Sequence, residues 1–184
     1  PYDMGHLFSS KWNGGSMVNQ GFDVVEVTLD QDALKDVDLL WIADMRTELT
    51  PEEEAALEKY IEQGGNLVFM GEPSHRETQN KVLNKFFGLE LTPLLVGPDV
   101  RFKGSLTANV LAAVPTQRSK ELMYPMKNSY RIAHENCAGI EEVENKGFKV
   151  EALVSTDTTG PVWTELETTD FVDDTVKFNP TVGE

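Results

Sequence analysis

Hydrophobic segments in the first part of the chain alternate between strand-like and helical patterns. Residues 22–29 are rich in β-branched side chains, which is typical of a strand. Residues 38–43 form a short, nearly continuous apolar run, which is typical of a strand buried on both faces of a sheet. Strands of this second kind belong to parallel sheets covered by helices, so the pattern predicts an α/β fold.

The best-defined element is a helix that is predicted to begin at Pro51. Thr50 is a good N-cap, proline suits the first helical position, and Glu53 lies where it completes a capping box with Thr50. The Gly64-Gly65 pair predicts a left-handed turn that ends the helix. Residues 66–70 follow directly as a second buried strand. We expect this strand–helix–strand unit to be parallel and right-handed.

The segments after this unit are less regular. Residues 77–87 have a helical pattern that ends at Gly88. Strands interrupted by prolines are predicted at residues 89–96, 130–134 and 148–154. Residues 156–169 are crowded with threonine and acidic side chains, which predicts a loop with a short edge element. The chain has 184 residues and neither an internal repeat nor a linker-like segment, so we expect residues 1–184 to form a single domain.

The charge of the chain restricts its partners. Its 16 Lys and Arg residues stand against 31 Asp and Glu residues, which gives a formal net charge of −15. Phosphate backbones and anionic lipid surfaces attract basic patches, so nucleic acid and the membrane surface are excluded as partners. The sequence contains no run of 18 or more apolar residues, and we therefore expect no direct membrane insertion by this segment.

Polar side chains follow each of the two buried strands. Asp44 and Arg46 come after the first strand, and Glu72, Ser74 and His75 come after the second. Neighbouring parallel strands bring their carboxyl ends to one rim of a sheet, where ligands bind in open α/β folds. We therefore predict a candidate ligand-binding rim from these five residues. The same side chains also suit structural roles as turn and helix caps, and that alternative stays open.

The sequence offers little for catalysis at this rim. A catalytic zinc site needs three protein ligands, and Glu72 with His75 supplies two; His6 would be a third only if the N-terminal segment folded over the rim. Ser74 does not lie at the centre of a glycine-flanked turn, as a nucleophile elbow requires. Cys137 is the only cysteine, which excludes an internal disulfide, and we expect it to be buried and inert. No phosphate-binding glycine motif is present, so neither a cofactor nor a metal is predicted.

A family resemblance adds to this pattern. Residues 38–69, with their Leu-Thr-Pro-Glu-Glu run and their Gly64-Gly65 pair, resemble the class I glutamine-amidotransferase-like superfamily. Within that superfamily, the chain is most similar to the auxiliary domain of ABC-2-type transporters of the gliding-motility type. Further similar pieces follow in the same order: residues 80–88, which end in Phe-Phe-Gly, and residues 124–132, 147–156 and 163–165. Together, the resemblance covers most of residues 22–165.

The resemblance implies a flavodoxin-like three-layer sandwich with a mainly parallel sheet. It also implies a domain that is displayed outside the cytoplasm and tethered by transmembrane helices at both ends. The first central strand of the family has no counterpart here or lies upstream of Pro1, and the Cys-His-Glu triad of the amidotransferases has no counterpart either. The chain lacks an initiator methionine and stops in a loop-like segment, so we expect it to be excised from a longer, membrane-anchored protein.

Three functional hypotheses follow. We expect a non-catalytic, extracytoplasmic interaction or ligand-sensing module of a bacterial inner-membrane protein, periplasmic in location and with ABC-transporter subunits as partners. The alternative is a hydrolase of the amidotransferase-like superfamily that uses Asp44, Glu72 and His75. The third is a saccharide-binding module in which Trp12 or Trp163 stacks on a sugar ring. Contact between Glu72 and His75 in a deep pocket would favour the hydrolase.

Overall fold

A computed structural model describes residue 8 and residues 16–96, 110–122, 132–135, 137–157 and 162–165. This part of the chain is a mixed α/β structure with small sheets, some parallel and some antiparallel. Two 3-10 helices, Val18–Gln20 and Pro73–His75, accompany the main elements. In chain order these are α1 (Gln31–Leu34), β1 (Leu39–Ala43), α2 (Pro51–Glu62), β2 (Asn66–Met70), α3 (Arg76–Phe87), β3 (Leu89–Val96), β4 (Val110–Pro115), α4 (Gln117–Leu122), β5 (Ile132–Glu135), β6 (Ala138–Glu142), β7 (Val154–Thr156) and β8 (Trp163–Glu165).

The chain divides into two compact units. The first comprises residues 1–40 and 49–66, and the second comprises residues 41–48 and 67–184. The expectation of a single domain over residues 1–184 stays a prediction. Among the described helices, none is both long enough and apolar enough to cross a membrane.

Helix α2 of the first unit confirms its predicted boundaries. The Thr50 hydroxyl accepts a hydrogen bond from the Glu53 N–H at 3.2 Å, and the Glu53 carboxylate accepts one from the Thr50 N–H at 2.8 Å. This reciprocal pair is the predicted capping box, with Pro51 in the first turn. The helix ends before Gly64, whose φ of 83° gives the expected left-handed turn.

The core of the first unit forms around α2. Its buried apolar side chains come from α1, from the start of β1 and from one face of α2: Leu34, Leu40, Ala56, Leu57 and Tyr60. The Tyr60 hydroxyl donates to the Asn66 carbonyl at 2.8 Å, which satisfies the polar end of this buried ring. The Lys59 ammonium donates to the Gln31 side-chain oxygen at 2.8 Å and links α1 to α2.

Strands β1 and β2 form at their predicted places but are less buried than expected. They pair in a two-stranded sheet, which is the parallel sheet of the described structure. Of the residues in both strands, only Leu40 is buried. A strand is buried on both faces only inside a wider sheet that helices cover. The prediction of two-sided burial was therefore wrong for these strands, because the described sheet has two members.

Helix α3 and strand β3 of the second unit confirm the predicted helix over 77–87 and strand over 89–96. Gly88 ends the helix at a φ of 67°. The amide of Asn80 joins the two elements, because it donates to the Leu91 carbonyl at 3.0 Å and accepts from the Leu91 N–H at 2.8 Å. The buried apolar side chains of this unit are Met45, Val82, Leu83, Leu91, Leu94 and Ala113.

The strands after α3 form two three-stranded antiparallel sheets, with orders β6-β3-β8 and β5-β4-β7. All four strand pairs in them are antiparallel. The expectation of a mainly parallel sheet therefore fails for the described strands. Parallel neighbours need a long crossover connection, usually a helix. Beyond α3, the described part of the chain offers only the six-residue helix α4 for that purpose.

Two other strand predictions are corrected by the structure, and the described part of a third is confirmed. Residues 22–29 form no strand, and Phe22 and Val25 are 51% and 65% exposed. β-branched composition indicates that a segment suits a sheet, but it does not supply a hydrogen-bonded neighbour. The strand predicted at 148–154 begins only at Val154, and the one predicted at 130–134 is Ile132–Glu135, with 130–131 outside the described residues. The edge element predicted within 156–169 is β8, at the edge of its sheet.

Candidate functional site

The candidate site begins with an unusual backbone position at Asp44. This residue follows β1 and has a φ of 48°, the one positive value among the described residues that are not glycine. Aspartate tolerates this left-handed region better than most side chains because its short carboxylate bonds locally. The Asp44 N–H donates to the Met70 carbonyl at 3.0 Å, so the turn is tied to the end of β2.

The Asp44 carboxylate brings three of the five predicted residues together. Its Oδ2 atom accepts a hydrogen bond from Arg46 Nε at 2.7 Å and forms an ion pair with Arg46 Nη2 at 2.5 Å. Its Oδ1 atom lies 3.0 Å from Nδ1 of His75. The Asp44 side chain is 18% exposed and that of His75 is 34% exposed, so solvent reaches the cluster.

The surroundings of Asp44 favour its ionised form. Partial desolvation acts to raise the pKa of this carboxyl, but the hydrogen bond and charge of Arg46 act in the opposite direction. The hydrogen bond and charge of His75 add to the effect of Arg46. The net result is a pKa of Asp44 below its usual value, so the residue is a carboxylate at neutral pH.

Glu72 and Ser74 lie beside this cluster. The Ser74 hydroxyl is 3.4 Å from Oε1 of Glu72 and 3.3 Å from Nδ1 of His75. Glu72 therefore contacts Ser74 and does not pair with His75 in the described structure, so the contact that would favour a hydrolase is not formed.

The arrangement of Ser74, His75 and Asp44 differs from that of a catalytic triad in a specific way. In a triad, the carboxylate bonds one ring nitrogen of histidine and the nucleophile bonds the other, so that a proton can pass across the ring. Here both the Asp44 carboxylate and the Ser74 hydroxyl approach the same atom, Nδ1. When Nδ1 carries the proton given to Asp44, it cannot accept the proton of Ser74. His75 in this geometry orients a carboxylate and does not activate the serine.

Gln79 supports the site and was not singled out from the sequence. Its side chain is fully buried, and its Nε2 donates to the Met45 carbonyl at 3.0 Å. Its Oε1 accepts from the Glu72 N–H at 2.9 Å. One amide therefore joins the segment after β1 to the segment after β2. The sequence signal was a polar residue on the apolar side of α3, near Val82 and Leu83 in the helical repeat.

Two side chains of the same region pack closely against the backbone of Gly71. A Cβ atom on Gly71 would lie 2.5 Å from Cδ1 of Leu91 and 3.1 Å from Oε1 of Gln79. A larger residue would have to displace the Leu91 and Gln79 side chains. Glycine therefore allows these two side chains to pack against the backbone just after β2.

The part of the chain that the structure describes bears on the metal and saccharide hypotheses. No group of three potential metal ligands occurs there, and His6 and Trp12 lie outside it. In the first unit, a cavity of about 70 Å³ between α1 and α2 is far below the roughly 300–1,000 Å³ of small-molecule pockets. Trp163 is half-buried in β8.

Burial raises the pKa of the Cys137 thiol, in keeping with an unreactive cysteine.

A likeness to solved structures bears on the fold. The chain is similar to the "mmIFT52 N-terminal domain", with a TM-score of 0.52 and 16% sequence identity. The similarity covers 67% of this chain, and the chain spans 56% of the length of that one. At this identity the likeness shows the fold alone. A comparison with curated proteins gives no match.

A family model decides the relationship that the sequence could only suggest. The model described as "ABC-type uncharacterized transport system" matches residues 4–180, which is nearly the whole chain. The family name designates an auxiliary component of an ABC-type transport system, which favours a non-enzymatic role in association with such a system. The chain belongs to this family of ABC-transporter auxiliary proteins.

Proposed function

We propose that this chain is a non-catalytic interaction or ligand-sensing module of a membrane protein that works with an ABC transporter. The observation that carries the proposal is the family match over residues 4–180. An auxiliary component acts by contact with the transport machinery, and its fold then serves to display surfaces. The family membership supports association with a transport system, and the nature of the contact is our proposal.

The geometry of the rim supports a non-catalytic role. The Asp44 carboxylate contacts Arg46 and His75, and the Ser74 hydroxyl lies 3.3 Å from the same His75 nitrogen that contacts Asp44. Glu72 is turned to Ser74. The alternative hydrolase would need a nucleophile at the other ring nitrogen of His75, whereas Ser74 approaches Nδ1. We therefore assign the rim a recognition role, in which Arg46 and His75 offer the exposed donor groups.

Three finer assignments belong to the same proposal. We propose that the chain is of the gliding-motility type, that it derives from the amidotransferase-like superfamily with its flavodoxin-like sandwich, and that it lies in the periplasm of a bacterial inner-membrane system. The support for these assignments is the resemblance of residues 38–69 and of the similar pieces that follow. The strongly acidic surface is consistent with a domain that stands away from anionic lipid.

The location is tested by cysteine labelling of the full-length protein in its host. Cys137→Ser removes the only cysteine of this segment, and Lys149→Cys places a new one on a side chain that is 82% exposed. A membrane-impermeant maleimide should label this position in intact cells, while a cysteine on a cytoplasmic reference protein should be labelled only after lysis. Labelling of Lys149→Cys only after lysis would contradict the proposed periplasmic location.

The transporter association is tested by co-purification from membranes. The tagged full-length protein should retain the permease and ATPase subunits of its own transport system in mild detergent. A matched sample with the segment 1–184 deleted should lose them. Retention of both subunits without the segment would overturn the interaction role. Hydrolysis of an amide or ester substrate by the purified chain, abolished in His75→Gln, would instead support the hydrolase.

A further inference from the structure

An open edge of one sheet offers a further binding surface. Strand β6 lies at the edge of the sheet β6-β3-β8, and Ile140 in this strand is 68% exposed. We propose that β6 binds an extended basic segment of a partner protein, which adds to the sheet as a further strand. This inference specifies the partner chemistry of the interaction role proposed above and rests on that role.

The backbone of β6 has the hydrogen-bonding groups that strand addition needs. In an antiparallel pair, successive residues direct their N–H and C=O groups alternately toward the neighbouring strand and away from it. The Val143 N–H donates to the Gly88 carbonyl at 2.8 Å, which sets this alternation at the end of β6. Glu141 therefore faces β3, whereas Ile140 and Glu142 direct their N–H and C=O groups outward. No strand among the described residues pairs with that side.

The apolar face of the sheet continues onto β6 without cover. Ile140 stands directly opposite Leu91 in the register, so the two side chains share one face. Leu91 is 7% exposed and Ile140 is 68% exposed. The described residues thus bury this face at β3 and leave it open at the edge. An incoming strand with an apolar residue at alternate positions would extend the buried face over Ile140.

Charge determines which strand fits this edge. On the opposite face of the sheet, Glu141 stands directly across from Glu90, and like charges in that position repel. Glu142 is also exposed, and it lies on the face of Ile140 because side chains alternate along a strand. Acidic side chains on an edge strand discourage pairing with a second copy of this chain, whose net charge is −15. A strand that carries Lys or Arg relieves the repulsion between Glu90 and Glu141, so the occupant is a segment that alternates basic and apolar residues.

Synthetic peptides test the mode of binding on the 184-residue chain. The probe is acetyl-Lys-Val-Lys-Val-Lys-Val-Lys-amide, with two derivatives that are N-methylated on the backbone of either the Val or the Lys residues. All three peptides have the same charge, but N-methylation at alternate residues removes the N–H donors along one edge of the strand. In isothermal titration, we expect one derivative to bind like the parent and the other to lose roughly tenfold or more in affinity. Equal affinities of all three would overturn strand addition.

Variants of the chain test the location of the site. The double variant Glu141→Gln with Glu142→Gln should bind the parent peptide several-fold more weakly. When the peptide binds, hydrogen exchange of the backbone amides at positions 140 and 142 should slow less in this variant than in the unsubstituted chain. Glu58→Gln with Glu62→Gln removes the same charge from the exposed side of α2 and should leave binding unchanged. Equal weakening by both double variants, or equal binding of a Glu-Val peptide, would overturn the inference.

The outcome for β6 can be separated from the outcome for the proposed function. The peptide titrations use the isolated chain, whereas periplasmic labelling and co-purification use the full-length protein. If the labelling and co-purification succeed but all three peptides bind equally, the interaction role stands and the inference about β6 falls.

Discussion

The imidazole of His75 and the carboxylate of Asp44 meet at 3.0 Å, and the second carboxylate oxygen is held by Arg46. Asp44, which makes both contacts, has a positive φ. These two partners of Asp44 belong to the segments that follow β1 and β2. The ionised carboxylate therefore holds both segments in place, and its contribution to stability depends on pH.

Substitution of Asp44 by Asn tests this contribution. Asparagine also tolerates positive φ, so the change removes the charge with little backbone strain. We expect the free energy of unfolding at pH 7 to fall by about 1 kcal/mol, because partly exposed ion pairs contribute about 0–1 kcal/mol and charge-assisted hydrogen bonds somewhat more. The measurement is urea unfolding followed by circular dichroism.

The stabilities of the unsubstituted chain and of Asp44→Asn should depend differently on pH. The pKa of Asp44 is lowered in the folded chain, so its contribution is fully present above the unfolded value of about 3.9. It is lost as the pH falls through the lowered folded pKa. The stability difference between the unsubstituted chain and Asp44→Asn should therefore shrink toward zero near pH 2. Glu58→Gln, at an exposed position, serves as the control, and a difference that persists in acid would contradict this assignment.

Gln79→Glu should show the opposite response to pH. The new carboxylate would keep the acceptor for the Glu72 N–H but would place an oxygen against the Met45 carbonyl at a fully buried position. Burial raises the pKa of a carboxyl, so the folded variant takes up a proton more readily than the unfolded one. We expect a loss of about 3 kcal/mol in the free energy of unfolding at pH 7.

This loss should diminish as the pH falls through the raised pKa of the introduced carboxyl. The protonated group can again donate to the Met45 carbonyl. Urea unfolding at pH 7 and near pH 5 measures the effect relative to the unsubstituted chain, and Gln63→Glu at an exposed position is the matched control. An equal loss at both pH values would show that the Gln79 amide does not make the contact with Met45 that the structure assigns to it.

Helix α2 could be predicted from the sequence because its determinants are local. The cap, the first-turn proline and the terminating glycines all lie within a few residues of the helix ends, so short-range chemistry fixes its boundaries. The pairing of β3 with β6 and β8 could not be predicted in this way. Strands separated by tens of residues choose their partners through long-range packing, which the local pattern of apolar residues does not contain.

The proximity of Asp44 and His75 could be predicted from the sequence, but the hydrogen bonds around them could not. Asp44 and His75 meet because they follow two neighbouring strands, which is a consequence of topology. The shared use of Nδ1 by Asp44 and Ser74 depends on side-chain rotamers. The role of Gln79 depends on the position of two loops around one buried amide. Rotamers and loop positions are tertiary features, and they determine here that Ser74 approaches Nδ1 of His75 and that Glu72 contacts Ser74.

Thr50→Ala tests the capping box of α2. The change removes the hydroxyl that accepts from the Glu53 N–H, while the backbone N–H at position 50, which donates to the Glu53 carboxylate, remains. We expect the free energy of unfolding to fall by about 1 kcal/mol. Thermal unfolding by far-ultraviolet circular dichroism measures it against Thr47→Ala, which changes an exposed threonine. Equal midpoints for the two variants would mean that the box contributes nothing.

Gly88 and Gly64 end their helices with similar backbone angles but in different surroundings. Their φ values are 67° and 83°. A Cβ atom on Gly64 would meet nothing within 4 Å, whereas one on Gly88 would overlap the carbonyl oxygen of Glu144. The Gly88 carbonyl also accepts hydrogen bonds from the Val143 and Glu144 N–H groups, at 2.8 and 3.1 Å, so the two backbones are held in contact.

The paired substitutions Gly88→Ala and Gly64→Ala separate backbone strain from steric overlap. Both place alanine in the left-handed region, which costs about 1–2 kcal/mol. We expect Gly64→Ala to lose about that amount, and Gly88→Ala to lose more than about 4 kcal/mol, because the overlap must be relieved by moving Glu144 and its bonded backbone. Urea unfolding measures both, and failure of Gly88→Ala alone to fold supports the same conclusion. Equal losses would show that the Gly88–Glu144 contact is not maintained in solution.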